Sequence, residues 1–321
     1  MWVGINKELK MAHVIVTGAQ GFLGSCLVKK LLKRKEVTKI SLVDQKFFEK
    51  DPNSKIQYFE GDLSSNEFLE EVFSSEVDLI YHLASIPGAA AEKQPLLAQN
   101  INFLCVQKIL NLLENQKVAP KFIFASSIAV YGSDAQEVIT EYDLSNPQSL
   151  YATHKLIVEL LIADATRRKI INGLSLRVPG LVARPEKAIG FASSFMSEIF
   201  WSLKNNEEIT LPVSQEATAW WLSVDCAAEN FIFAGFNEFT TLNNRRVIQL
   251  PVLYLKISEL IEEISNYFEE DKNFLISYNI DPYIQTNFGS FPPLISSYSD
   301  GKGFFNDQSL SELVRRVYEL N

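Results

Sequence analysis

The chain has 321 residues, 47% hydrophobic and 21% charged, which is enough apolar material for one large domain or two coupled ones and too much for a disordered chain. A formal charge of −9, with acidic and basic residues intermixed, argues against a nucleic-acid partner, and the densest basic run, LVKKLLKRK from Leu27 to Lys35, reads as the solvated face of an amphipathic helix. Cys26, Cys105 and Cys226 are far apart and lack metal-ligand spacing, so neither a disulfide framework, a zinc site nor any other metal is expected.

Residues 1–10 read as an extension that precedes the fold, with Met11 as an alternative start, and they lack the apolar core of a signal peptide. No run of about 18 apolar residues is seen, so a cytoplasmic protein with no membrane partner is expected. From there short β-branched runs alternate with longer amphipathic stretches. That alternation predicts βαβ units and a parallel sheet. Strands are expected near Ala12–Thr17, Lys39–Asp44, Lys55–Glu60, Val77–Ala84, Lys121–Ser126 and Leu174–Val178, and helices near Phe22–Arg34, Asn66–Phe73, Leu96–Asn115 and Leu150–Arg168. The runs VIVTG, ISLVD, LIYHLA and FIFASS are apolar on both faces, as a sheet covered on both sides requires.

Past Pro179 the pattern loosens, with helical stretches near Ser193–Lys204, Val224–Gly235, Leu255–Glu269 and Ser309–Leu320. The expected fold class is α/β: a doubly wound parallel sheet over residues 11–178, of the Rossmann type, and a smaller α+β substrate-binding part over 179–321, with an interleaved boundary and a cleft between them.

VIVTGAQGFLG places Gly18, Gly21 and Gly24 between the first strand and the first helix. Such glycines allow a tight turn, approach of backbone N–H groups to a pyrophosphate, and close helix–sheet packing, while the helix N-terminus adds a positive dipole. The next strand ends in Asp44, 20 residues beyond Gly24, where a carboxylate accepts hydrogen bonds from ribose hydroxyls and repels a 2′-phosphate. NAD is therefore the expected cofactor. Asp62, in Gly61–Asp62–Leu63 after the third strand, is either a contact to the adenine or a turn residue at a helix start.

SLYATHK places Tyr151 and Lys155 four residues apart, on one face of a helix. A free tyrosine has a pKa near 10, so a base active near neutrality needs that value lowered by about 3, roughly 4 kcal/mol. A buried ammonium nearby acts in the required direction. FIFASSIAVYG ends a strand at Ser126–Ser127 shortly before the tyrosine, and strand ends at the carboxyl edge of a parallel sheet point into the ligand crevice. His13 and His82 fall on strands, and His154 on the exposed side of the Tyr151 helix.

TGAQGFLG, GDL, YHLA, SSIAVYG and YATHK, in this order, resemble the extended short-chain dehydrogenase/reductase superfamily, also called the NAD-dependent epimerase/dehydratase family. The resemblance covers roughly residues 12–235. It implies a catalytic set of Ser127, Tyr151 and Lys155, with Asn102 in the place of the family's helix asparagine, although Cys105–Val106 stand where Gly-Thr is usual. It further implies a cofactor site including Gly18, Gly21, Phe22, Leu23, Gly24, Asp44, Asp62, Leu63, Leu83, Ala84 and Pro179. Lys155 would also hold the nicotinamide ribose.

RVPGLVARPEKAIGFASSF and ATAWWLSVD resemble the D-erythronate dehydrogenase branch of that family, which implies oxidation of a hydroxyl in a short sugar acid. Arg184, Ser193, Ser194, Phe195 and Trp220 are then candidate substrate contacts. Where that branch typically has an Arg-His-Trp-His run this chain has Thr218–Ala219–Trp220–Trp221, so the arginine is absent and either the carboxylate anchor or the substrate itself is expected to differ, and the two tryptophans are either a substrate-facing wall or core. A sugar-nucleotide 4-epimerase with tightly bound NAD is the alternative. A dehydratase is disfavoured because Ile128 and Ala129, rather than an acid, follow Ser127. A non-enzymatic dinucleotide sensor could dispense with Tyr151 and Lys155. By resemblance, the Leu96–Asn115 and Leu150–Arg168 helices imply a homodimer.

Overall fold

The computed structural model describes residues 12–132, 137–185, 193–239, 242, 244–296, 299 and 301–320, so the N-terminal extension and Met11 lie outside the described residues. The first half alternates as expected: β1 (Ala12–Thr17), α1 (Phe22–Leu32), β2 (Val37–Asp44), β3 (Ile56–Glu60), α2 (Asn66–Val72) and β4 (Leu79–His82). There follow α3 (Gly88–Lys93), α4 (Pro95–Gln99), a π turn at Asn100–Leu104, α5 (Cys105–Leu113), β5 (Lys121–Ser127), a short β6 (Ile139–Thr140), α6 (Leu150–Arg167) and β7 (Asn172–Val178). The remainder contains β8 (Gly180–Val182), α7 (Phe195–Asn205), β9 (Ile209–Leu211), β10 (Thr218–Ser223), α8 (Val224–Phe236), β11 (Val247–Gln249), β12 (Leu253–Lys256), α9 (Ile257–Phe268) and a C-terminal helix at Leu310–Leu320.

Seven strands form one sheet in the order β11-β7-β5-β4-β1-β2-β3, and every pairing in it is parallel. The chain winds outward in opposite directions from β1 and β4, so a crevice opens at the carboxyl ends of these two strands. α1 and α8 cover one face, where Leu27, Leu31, Ala227 and Phe231 pack on Val14, Val16 and Leu176. α2, α5 and α6 cover the other, where Leu69, Ile109, Val158 and Ile162 pack on Ile15, Ile80 and Phe122. β11 comes from the second half of the chain and completes this sheet beside β7, which knits the two halves together. A second sheet, β12-β10-β8, backs a separate core built from Phe195, Ile199, Phe200, Trp221 and Leu260.

The stretch expected as one helix over Leu96–Asn115 is broken by the π turn. The extra residue in that turn rotates Asn102 inward, to 2% exposure, against the loop that follows β4. Pro95–Leu113 is, by length and composition, apolar enough to cross a membrane, but Ile101, Cys105, Val106, Ile109 and Leu113 are spent on the sheet.

Candidate active site

The glycine turn after β1 is closed by backbone-to-backbone contact. Gly18 has φ +70°, and a Cβ on it would lie 2.7 Å from the Ala84 nitrogen, while a Cβ on Gly24 would lie 2.1 Å from the Gly18 oxygen. Only glycine fits either place. Gly21 caps α1 without a side-chain hydrogen bond and no acidic residue lies in the first turn, so the helix N-terminus presents its N–H groups to an anion, with Phe22 and Leu23 half-buried behind it. On the far side of the turn, Leu83 and Ala84 are tied to Thr17: the Leu83 N–H donates to the Thr17 carbonyl at 3.1 Å and the Ala84 N–H to its hydroxyl at 3.4 Å.

Asp44 stands at the carboxyl end of β2, its two oxygens accepting the Gln20 and Gln45 N–H groups, each at 2.8 Å. The carboxylate is thereby fixed at the carboxyl end of β2, beside the glycine turn. Asp62 is exposed and accepts the Ser64 N–H at 2.8 Å, with Leu63 buried beside it. A tight turn, uncapped N–H groups and a fixed carboxylate suit a dinucleotide without a 2′-phosphate.

Ser149 caps α6 through the Ala152 N–H, which sets the first turn of the helix and places Tyr151 and Lys155 over the end of β5. The Ser127 hydroxyl is hydrogen-bonded to the Tyr151 phenol and also accepts the Ala129 N–H at 3.1 Å. Burial pushes the phenol above its ordinary value, while the Ser127 hydrogen bond and the Arg184 guanidinium pull it down. The Lys155 ammonium lies 5.4 Å from the centre of the Tyr151 ring, over the Phe124 ring, and donates to the Ala125 carbonyl at 2.7 Å. Burial brings it down to about 7, with the Glu159 carboxylate opposing that fall. Tyr151 and Lys155 therefore share a helix face as their spacing predicted, and Ser127 lies at hydrogen-bond distance from the Tyr151 phenol.

Asn102 does not join them through a contact of its own. Its carbonyl oxygen accepts the Ile86 N–H at 2.7 Å and the Ser85 hydroxyl at 3.2 Å, and its amide donates back to the Ile86 carbonyl at 2.9 Å. It is a positioning residue that holds the loop after β4. His154, expected on an exposed helix face, is 5% exposed and stacks on Phe103, because the π turn brings the Asn102 helix against α6. His82 is fully buried with its Nδ1 on the Thr17 hydroxyl at 2.9 Å, and burial lowers it to about 3, so it stays neutral.

On the substrate side, the Arg184 guanidinium lies 5.4 Å from the centre of the Phe22 ring and acts on Tyr151 electrostatically. Pro179 is buried at the end of β7, and Ser193 and Ser194 are half-buried at the start of α7. Two expected contacts go elsewhere. Phe195 is 2% exposed in the core of the second sheet, and Trp220 is 1% exposed, stacked on Phe291 at 4.7 Å with its indole N–H donating to the Pro292 carbonyl at 2.7 Å. The hydrophobic pull of two large aromatic surfaces outweighs any role as a wall of the crevice. Residues 186–192, between Arg184 and the two serines, lie outside the described residues.

Several residues that support the site escape a motif search. Ser197 accepts the Arg184 N–H at 3.0 Å and Trp201 donates to the Arg184 carbonyl at 2.5 Å, so α7 grips the backbone of Arg184 from both sides. Their spacing of four on one helix was the only available signal. Behind Lys155, the Ser126 hydroxyl donates to Glu159 at 2.5 Å, and Glu159 in turn holds Arg177.

Comparison with known proteins agrees with this construction. The pattern of the NAD dependent epimerase/dehydratase family matches residues 14–241. A D-erythronate dehydrogenase of Haemophilus influenzae is 31% identical over 312 residues, covering 96% of this chain and 99% of the relative. One from Cupriavidus necator is 27% identical over 317 residues, covering 96% and 98%. Among solved structures, a nucleoside-diphosphate-sugar epimerase from Agrobacterium tumefaciens superposes with a TM-score of 0.89 at 26% identity, covering 97% of this chain and 95% of that one. The chain thus belongs to the NAD dependent epimerase/dehydratase family, the extended short-chain dehydrogenases/reductases, and is an NAD-dependent enzyme.

Proposed function

We propose that the chain is a dehydrogenase that oxidises one hydroxyl of a short sugar acid, D-erythronate-like, to the oxo acid, with Tyr151 as general base. The observation that carries this reading is the setting of the Tyr151 phenol, hydrogen-bonded to Ser127, with the Lys155 side-chain nitrogen 5.4 Å from its ring centre and the Arg184 charge acting on it.

Bound NAD supplies the hydride acceptor. Gly18, Gly21, Phe22, Leu23 and Gly24 would hold its pyrophosphate, Asp44 the adenosine ribose, Asp62 and Leu63 the adenine, and Leu83, Ala84 and Pro179 the nicotinamide half. The substrate hydroxyl lies between Ser127 and Tyr151. Tyr151 takes the hydroxyl proton as the hydride leaves the same carbon, and Ser127 orients the oxygen as it becomes a carbonyl. Lys155, held by the Ala125 carbonyl, would favour the phenolate when charged and would hold the nicotinamide ribose. Ser193 and Ser194 contribute hydroxyls to the rest of the substrate.

The assembly we propose is a cytoplasmic homodimer formed through the Leu96–Asn115 stretch and α6, where Leu96 is 76% exposed and Leu160 61% exposed. Sedimentation of the wild type and of Leu160→Glu tests it: the variant should run as a monomer.

A screen of C2–C4 sugar acids and of nucleotide-sugars with NAD and NADP tests the activity. NADH formation with a free sugar acid is expected. Turnover of a nucleotide-sugar without net NADH, with cofactor surviving desalting, would instead favour a 4-epimerase, the reading to which the Agrobacterium tumefaciens structure lends support.

A further inference from the structure

A serine hydroxyl at 2% exposure among the apolar residues of a strand needs a partner, and Ser126, at the end of β5, finds it in α6. Its hydroxyl donates to Glu159 at 2.5 Å, on the same carboxylate oxygen that accepts the Arg177 Nε–H at 2.9 Å. Ser126 and Arg177 stand opposite each other in the β5–β7 register, so one carboxylate of α6 is held from two adjacent strands. Arg177 alone satisfies the charge of Glu159, with a bond to each oxygen. It is itself fixed by the Ser145 hydroxyl at 2.9 Å and by the Tyr131 ring, whose centre lies 4.7 Å from the guanidinium carbon. The Ser126 bond adds a tie to β5, the strand that carries Ser127.

Three consecutive residues of β5 thus meet α6 at three successive turns. The Ser127 hydroxyl bonds the Tyr151 phenol, the Ala125 carbonyl accepts the Lys155 ammonium at 2.7 Å, and the Ser126 hydroxyl reaches Glu159. Tyr151, Lys155 and Glu159 are spaced four apart on one helix, so they move as a body. We propose that Ser126 is a positioning residue for the reaction: through Glu159 it sets the register of α6 on β5, and with it the placement of Tyr151 and Lys155 against Ser127. The inference rests on the reading of Tyr151 as general base. Apolar contacts such as those of Val158 and Ile162 are non-directional, and they fix the distance of the helix from the sheet rather than its position along it. A hydrogen bond to a buried carboxylate is shorter and stronger than one between neutral groups, and it is directional, so it supplies what packing lacks.

The test compares Ser126→Ala with the wild type, and with Ser175→Ala as a control on β7, where the buried Ser175 hydroxyl meets no partner among the described residues. The first readout needs no turnover. In protein carrying isotope-labelled tyrosine, the Tyr151 resonance, identified by its loss in Tyr151→Phe, should shift in Ser126→Ala and stay in place in Ser175→Ala. The second is steady-state oxidation of a four-carbon sugar acid with NAD. In Ser126→Ala kcat should fall about 10- to 100-fold, the effect of a small misplacement of reacting groups, while KM for both substrates stays within twofold. Ser126→Ala combined with Glu159→Gln should be no slower than Glu159→Gln alone, because the serine acts through the carboxylate. An unmoved Tyr151 resonance would overturn the proposal, as would a kcat within twofold of the wild type or losses that multiply in the double variant. A resonance that shifts in Ser126→Ala, in a protein that oxidises no hydroxy acid, would keep the positioning role and discard the dehydrogenase.

Discussion

Glu159 holds Arg177 with both carboxylate oxygens, at 2.9 and 2.8 Å, and neither side chain is more than 3% exposed. The pair lies one helical turn beyond Lys155 and ties α6 to β7, while the Ser126 hydroxyl brings in the end of β5. The catalytic helix is thereby anchored at the point where two strands deliver residues to the crevice.

Removing one partner leaves a buried charge without compensation. Glu159→Gln should therefore lower stability by about 3–5 kcal/mol, whereas Glu159→Met combined with Arg177→Met should recover most of that loss. Urea unfolding of the three proteins checks it. A single variant as stable as the wild type would show that the pair contributes nothing.

Asn102 makes three hydrogen bonds to the Ser85–Ile86 loop. Asn102→Ala leaves the Ile86 N–H and carbonyl unpaired beside the crevice and should cost about 2–3 kcal/mol. Because that loop borders the nicotinamide half of the proposed cofactor site, KM for NAD should rise along with the drop in melting temperature. A variant destabilised as expected but with unaltered NAD affinity would confine Asn102 to structure.

The Asp44 carboxylate is fixed by two N–H groups and would repel a 2′-phosphate. Asp44→Ser should lower the preference for NAD over NADP by about 10- to 100-fold, mainly by loss of NAD affinity. Parallel kinetics with the two cofactors measures this ratio directly. An unchanged ratio would remove Asp44 from the ribose site.

The pH dependence follows from the groups around Tyr151. Burial raises the phenol, and the Ser127 hydrogen bond and the Arg184 charge lower it, with Lys155 one turn away on the same helix. The base form is the deprotonated one, so oxidation should accelerate as pH rises through the phenol's pKa. Ser127→Ala removes a lowering influence, and the rising limb of kcat/KM should therefore move to higher pH as the rate falls. A limb unmoved in Ser127→Ala would assign it to another group.

Much of this architecture was legible in the chain. In the β1-to-β2 unit, Gly18 and Gly24 stand where the backbone admits only glycine, and Tyr151 and Lys155 share a face by helical periodicity alone. What escaped depends on contacts distant in sequence. The π turn at Asn100–Leu104 has no compositional mark, and it decides both the role of Asn102 and the burial of His154. Trp220 and Phe195 are apolar residues beside polar ones, and only the packing of Phe291 and of the β10 core shows that they serve the interior. β11 joins the first sheet from nearly 70 residues beyond β7, a pairing no local pattern announces.

The central claim is that Tyr151 transfers the proton of an oxidised hydroxyl. Single-turnover NADH formation from D-erythronate, compared between the wild type and Tyr151→Phe at matched NAD occupancy, tests it most directly. The phenylalanine variant should melt within a few degrees of the wild type, bind NAD equally, and form NADH about a thousandfold more slowly. A Tyr151→Phe rate within tenfold of the wild type would contradict the assignment.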